Sequence, residues 1–258
     1  STPPKIKFIG SAEDRIKEDY LRILRFLRFS LLYSKKFNNK DFLICKKFKH
    51  KIRLLSFERR LNEIEKILIL ENIESKVILT KIYELIEISL ECKIDIKNFE
   101  KMCFLERKNT DVSFIRRIKF LTRGKNLKKK KFLSKMKKDL KKRLITRTSI
   151  SQFSKINICM KLLEFDSSIV LDELYFCYAL NKIDLKIFLH LESVITNFDV
   201  SKYPLNGKDL LDLGFVKSKD LGKTQLNIKK WWIKNDCKPK KKECIEYARK
   251  RLPPSIGR

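Results

Sequence analysis

The chain has few of the residues that punctuate irregular folds. Its 258 positions hold six glycines and six prolines, too few for a loop-rich sandwich or barrel. Histidine is scarcer still: His50 and His190, lone residues in helical contexts, read as structural. The seven cysteines, at 45, 92, 103, 159, 177, 237 and 244, form no Cys-x-x-Cys pair. No zinc centre is expected from that inventory. An odd, scattered set of thiols points instead to a reducing, intracellular setting, the cytoplasm or a mitochondrial matrix. No apolar run approaches the ~20 residues of a membrane span, so no membrane partner is expected. The opening "STPPKIKFIG" is neither a secretory signal nor an obvious transit sequence. Beginning on Ser rather than Met, it reads as a processed product or part of something longer.

Acidic residues are also in deficit, 31 against 61 lysines and arginines, for a net charge of +30. Polyanions are the natural partners of such a surplus, because each phosphate neutralised releases condensed counterions. A hydrophobic fraction of 43% excludes a disordered tail. Residues 116 to 147 alone hold sixteen basic residues and one acid, Asp139, a local +15. Within that run Leu133, Met136, Leu140 and Leu144 fall at helical spacing. The spacing predicts a helix over 127–147 with one packed stripe and a basic remainder, after a turn at Gly124. That remainder is either a solvated face or a phosphate-binding one. Its candidate RNA contacts are Arg116, Arg117, Lys128, Lys129, Lys130, Lys131, Lys135, Lys138, Lys142 and Arg143.

Helical periodicity runs through most of the rest. Amphipathic segments cover Glu13 to Tyr33, "LLSFERRLNEIEKILIL" with Ser56 as N-cap, "SKVILTKIYELIEISLE", "IKNFEKMCFLERK", "SIVLDELYFCYALN" and "LKIFLHLESVITNF". "YPLNGKDLLDLGF" predicts a short helix that Gly214 ends in the left-handed region. A longer helix through Trp231 and Trp232 and a final one over "ECIEYARKRL" follow. Adjacent tryptophans point in different directions, so at least one belongs to the core. Nothing alternates as strands do. The expected fold is all-α, an elongated helical array with a short extended piece at its N-terminus.

One stretch is charged beyond what packing needs. "EDYLRILRFLRF" sets Glu18 and Asp19 beside Arg22, with Arg25 and Arg28 following at every third residue. On a helix this is either an ordinary i,i+3 and i,i+4 salt-bridge set or an array of planar groups for a nucleobase edge. In the second case the carboxylate accepts from an exocyclic amine and the guanidinium donates in a fixed fork.

The wider context, "FIGSAEDRIKEDYLRILRFLRFS", resembles the signature at the junction of catalytic head and neck in class II tRNA nucleotidyltransferases. That family comprises CCA-adding enzymes and related bacterial poly(A) polymerases. "LSFERRLNEIEKIL" is similar to its Ser-x-Glu-Arg-x-x-x-Glu neck motif, matched by Ser56, Glu58, Arg59 and Glu63. "YPLNGKDLLDLGF" and "LGKTQLNIKKWWI" resemble the tail motif and the helix after it. The resemblance runs from residue 6 to 233. It implies that Asp19 and Arg22 hydrogen-bond an incoming CTP or ATP base, that Glu18 orients the arginine, and that Glu58 and Arg59 brace the neck helix beneath. It implies a neck over 1–70, a body over 71–200 and a tail over 201–258. Apart from the resemblance, the helix N-terminus near Gly207 and Lys208 is expected to add backbone donors for phosphate.

The sequence departs from the family pattern too. The family's two metals sit on an Asp-x-Asp pair in a sheeted head, and no Asp-x-Asp pair occurs here. "FVKSKD" stands where relatives carry a Pro/Gly-rich turn, and 127–147 is far more cationic than the family requires. The expectation is an RNA-binding neck, body and tail without catalytic residues, metal or cofactor of its own; the magnesium and CTP or ATP of the family go with the head. Its partner is then tRNA, and the head is either the rest of a longer enzyme from which this portion is cut or a separate subunit. The alternative is a retired, structural RNA-binding subunit of a ribonucleoprotein such as a mitochondrial ribosome, with rRNA and ribosomal proteins as partners.

Overall fold

A computed structural model describes residues 5–34, 38–70, 77–123, 137–215 and 219–251. The protein is all-α: among the described residues every regular element is an α- or 3₁₀-helix. The chain divides into two compact units, Ser1–Thr146 and Arg147–Arg258.

The first unit holds α1 (Ala12–Glu18), α2 (Leu21–Tyr33), α3 (Asn39–Lys47), a 3₁₀ turn (Lys49–Leu54), α4 (Phe57–Leu68), α5 (Val77–Leu90), α6 (Ile96–Lys108), α7 (Phe114–Leu121) and α8 (Lys138–Ile145). Helix α2 packs on α4 and α5, which also pack on each other; α1 lies on α2 and α3, and α7 touches α4, α6 and α8. Ile23, Leu24 and Leu27 of α2 meet a core shared with Ile64, Ile67 and Leu68 of α4 and Leu85 and Ile86 of α5, all essentially inaccessible. Each such aliphatic side chain contributes roughly 1.5–3 kcal/mol by leaving water.

The second unit holds α9 (Lys155–Leu162), α10 (Ser167–Ala179), α11 (Leu185–Asn197), a 3₁₀ turn (Val200–Lys202), α12 (Gly207–Asp212), α13 (Lys219–Lys234) and α14 (Lys241–Arg249). Its core centres on Trp232, fully buried among Met160, Leu205, Leu210, Ile228 and Ala248. The indole N–H donates to Pro239 O at 3.1 Å, and Tyr203 and Phe198 meet the ring edge-on at 5.2 and 6.3 Å. Trp231 is half-exposed and stacks on Tyr247 at 4.3 Å.

Polar caps start the helices. Ser11, Ser56, Asp95, Ser113, Ser154, Asp184 and Asn206 each accept a backbone N–H of the first turn. Helix ends show the cost of scarce glycine. Gly214 (φ +96°) closes α12 as expected, with Phe215 N–H donating to Leu210 O at 3.2 Å. Elsewhere Glu91, Thr110, Asn181, Asp236 and Cys237 adopt positive φ without being glycine, a strained choice above all for β-branched Thr110.

Two expectations change. The amphipathic segment from Glu13 to Tyr33 is two helices, broken at Asp19 (φ −154°, ψ 110°). Of the helix expected over 127–147, the described part is α8, with Leu144 buried and Leu140 40% exposed. Leu133, Met136 and Gly124 lie outside the described residues. Residues 5–8 precede the first helix as an unpaired segment, held by Phe8 N–H on Asp41 Oδ2 (2.9 Å) and Ile6 N–H on Ser34 Oγ (3.4 Å). No helix among the described residues is long and apolar enough to cross a membrane.

Candidate nucleotide and RNA interface

The break at Asp19 organises the charges of the first two helices. Asp19 is extended, so its Oδ1 can accept Leu21 N–H at 3.1 Å while its carbonyl takes Arg22 N–H at 3.0 Å, restarting the chain as α2. An unbroken helix would have set Glu18 and Asp19 side by side facing Arg22; the break sends them to different partners. Glu18 Oε2 lies 2.6 Å from Arg22 Nη1, and its Oε1 lies 3.1 Å from Arg15 Nη1. Arg22 also donates to Arg15 O at 3.1 Å. Desolvation pushes the Glu18 carboxyl up, but hydrogen bonds from Arg15 and Arg22 outweigh it and hold the group below its ordinary value. Asp19 instead receives Arg59 Nη2, at 3.0 Å to Oδ2 and 3.2 Å to Oδ1.

Helix α4 brings that arginine into place. Ser56 Oγ caps α4 through Arg59 N–H at 3.3 Å, and Glu58 sits half-buried in the first turn, where a carboxylate suits the helix dipole. One α-helical turn on, Glu63 is buried and draws in Arg28 at 2.9 Å, Lys66 at 3.0 Å and Arg25 at 3.8 Å. The arginines of α2 therefore divide their work: Arg22 closes on Glu18, while Arg25 and Arg28 clamp α2 to α4.

An open cavity of about 350 Å³ lies against this cluster. Ile6, Lys7, Phe8 and Ile9 form one wall; Arg15, Arg22, Arg25, Phe26 and Phe29 form the other. Phe8 stacks on Phe26 at 5.2 Å. Four cations and no carboxylate line it, so it suits an anion with a flat apolar body. Arg22 reaches the cavity; Asp19, Glu18, Glu58 and Arg59 are not in its lining. Arg25 stands out in the sequence through its spacing from Arg22; Arg15 and the three phenylalanines do not, although Phe26 and Phe29 interleaved with Arg22 and Arg25 are the signal.

The expected RNA contacts separate. Lys138 and Lys142 on α8 are exposed, as is Lys208; Arg143 is half-exposed. Lys128, Lys129, Lys130, Lys131 and Lys135 lie outside the described residues. Arg116 and Arg117 are corrected: they are 1% and 0% exposed and bind Glu106 on α6. Arg116 lies 3.2 Å from Glu106 Oε1 and donates to Asp111 Oδ2 at 2.7 Å; Arg117 Nε donates to Glu106 Oε2 at 2.6 Å, and its Nη1 to Leu68 O. Basic composition marked them for phosphate, but a buried carboxylate and a carbonyl at the end of α4 claim them. Burial pushes the Glu106 carboxyl above its ordinary value even with both guanidiniums drawing it down.

Helix α12 is corrected as well. Its Lys208 and Asp209 N–H groups do not face outward for phosphate, because Asn206 Oδ1 accepts both, at 2.9 and 3.1 Å. Asp209 Oδ2 accepts Asn206 N–H at 2.7 Å in return and lies in an ion pair with Lys241, 2.6 Å from Oδ1. The Asn-Gly-Lys-Asp motif is a capping box.

Among the described residues no group of three or more His, Cys, Asp or Glu could hold a metal ion. None of the seven cysteines forms a disulfide, and burial pushes Cys159, Cys177 and Cys244 up to about 11, away from reactive thiolate.

No family model matches the chain. It is similar to the CCA-adding enzymes of Lactococcus lactis subsp. cremoris strains MG1363 and SK11, 24% identical to each over 260 aligned positions that take in 96% of this chain. Those positions are 62% of each relative, so the chain spans about three fifths of their length. This similarity points to a distant relationship with tRNA nucleotidyltransferases.

Proposed function

We propose that this chain is the RNA-binding, tRNA-type helical portion of a tRNA nucleotidyltransferase-like protein and adds no nucleotide by itself. Neck (1–70), body (71–200) and tail (201–258) form part of the same proposal. The observation that carries it is the extent of the similarity: an alignment over nearly the whole chain to proteins named for CCA addition. The net charge of +30 supports an RNA partner, and the absence of an Asp-x-Asp pair from the sequence supports inactivity alone.

In this reading the cavity beside Arg22 receives a nucleotide. Arg15, Arg22 and Arg25 offer donors to its anionic part and the phenylalanines cover its ring. Asp19 reads the base with Arg22 only after exchanging its bond to Arg59, and Glu18 holds the Arg22 fork throughout. The lysines of α8 and Lys208 contact backbone phosphates.

The test has two arms. CTP and ATP are titrated into the chain and into Asp19→Ala and Arg22→Ala, and the chain is incubated with a tRNA lacking its CCA end, both nucleotides and magnesium. Nucleotide binding weakened at least tenfold in both variants, with no extended tRNA, is the expected result. Extension of the tRNA by the chain alone refutes inactivity; binding indifferent to both substitutions refutes the site.

A further inference from the structure

A second recess lies wholly within the second unit, where the segment before α9 folds against α9 and α13. It encloses about 150 Å³, well under the 300–1,000 Å³ of ordinary small-molecule sites. A nucleoside triphosphate does not fit; a single flat ring does. Met160 and Ile150, both buried, supply an apolar floor, and Leu226, 39% exposed, stands at the mouth. The rim is polar and neutral on one side, with Ser149, Ser151 and Gln152, where Gln152 Oε1 is fixed by Asn157 Nδ2 at 2.8 Å. On the other side stand Lys161 and Lys230, one on each helix, and one exposed carboxylate, Glu164.

An apolar floor, amide and hydroxyl edges and two flanking ammonium groups are what an unpaired base needs when it turns out of an RNA strand, leaving its phosphates at the mouth. The carboxylate adds selectivity, because Glu accepts from the exocyclic amine of cytosine and has no donor there to meet the carbonyl of uracil. We propose that this recess holds one unpaired, amine-bearing base of the bound RNA, with Glu164 reading the amine and Lys161 and Lys230 holding the adjoining phosphates. The proposal rests on the RNA-binding reading above and adds a sequence preference located in the second unit.

Three hairpins test it, alike except for a single bulged cytidine, a single bulged uridine or no bulge, measured by fluorescence anisotropy at one salt concentration. The full chain binds the cytidine bulge roughly fivefold tighter than the other two, the lower end of what one good base contact discriminates. Glu164→Ala, which removes an exposed side chain, abolishes the cytidine-over-uridine difference without weakening binding of the paired hairpin. Leu226→Trp, which covers the mouth, makes all three hairpins bind as the paired one does, with helicity unchanged by circular dichroism. Equal binding of the three hairpins to the unaltered chain overturns this recess as a base site and leaves general RNA binding intact. Failure to bind any of them at low salt overturns both readings.

Discussion

Replacing Arg117 with leucine separates a buried brace from an RNA contact. The guanidinium is fully buried, donates to Glu106 at 2.6 Å and also satisfies the Leu68 carbonyl. Leucine fills part of the space but leaves that carbonyl without this donor and Glu106 with Arg116 alone. Removing one partner of such a pair costs about 3–5 kcal/mol, a large fraction of the 5–15 kcal/mol that holds a typical domain folded. The loss depends on pH. Glu106 already lies above its ordinary value in the folded protein, and losing a guanidinium raises it further. A group raised on folding stabilises the fold below its unfolded pKa and loses that contribution as pH rises through the folded value. The deficit of Arg117→Leu relative to the unaltered chain is therefore larger at pH 8 than at pH 5. Urea unfolding followed by circular dichroism at both pH values measures it, and RNA affinity per folded molecule should stay within twofold. A loss below about 1 kcal/mol, or a normal midpoint with tenfold weaker RNA binding, would return Arg117 to the RNA-facing surface.

The other predictions concern separate features. Trp232→Ala empties the second unit's core and costs about 3–5 kcal/mol, whereas Trp231→Ala, which loses a half-exposed stack, costs about 1 kcal/mol; thermal unfolding of both variants distinguishes them. Thr110→Gly relieves about 1–2 kcal/mol of left-handed strain at a β-branched residue against about 0.4–1 kcal/mol of added unfolded-state freedom, and the urea midpoint reads a net gain of up to about 1 kcal/mol. The Asn206 backbone N–H and then Lys241 hold the Asp209 carboxyl below its ordinary value. That contribution is complete above the usual carboxylate range and disappears as pH falls through the lowered value, so Asp209→Asn loses stability at neutral pH and narrows its gap to the unaltered chain in acid. Lys138→Glu with Lys142→Glu leaves the unfolding midpoint within about 0.5 kcal/mol, while the logarithmic salt slope of RNA binding falls by about 0.7–0.9 for each phosphate that the pair no longer neutralises.

Much of the fold was legible because apolar spacing alone decides where a long helix lies. The reading of 96–108 coincides with α6, and Ser56 and Gly214 act as the cap and the stop they were read to be. Helix α3 and the 3₁₀ turn after it were not read, since lysines interrupt their short apolar pattern. The break at Asp19 was hidden for the opposite reason: helical spacing continues through it, and only the carboxylate's bond to Leu21 N–H interrupts the backbone. The candidate site was legible in residue type and less so in pairing. Glu18, Asp19, Arg22 and Arg59 do cluster, but which acid meets which arginine depends on that break and on how α4 lies across α2. Arg116 and Arg117 were misjudged because composition cannot tell a basic face from a buried pair; Glu106, ten and eleven residues away on another helix, decides it.

The most direct test is competition between a tRNA lacking its CCA end and a hairpin of ribosomal type for the full chain, across a salt series. The expected result is that the tRNA is preferred at least tenfold and that the preference survives moderate salt, since shape and backbone geometry are recognised together. Equal affinities that fall in parallel with salt would contradict it and mark the protein as a general polyanion binder.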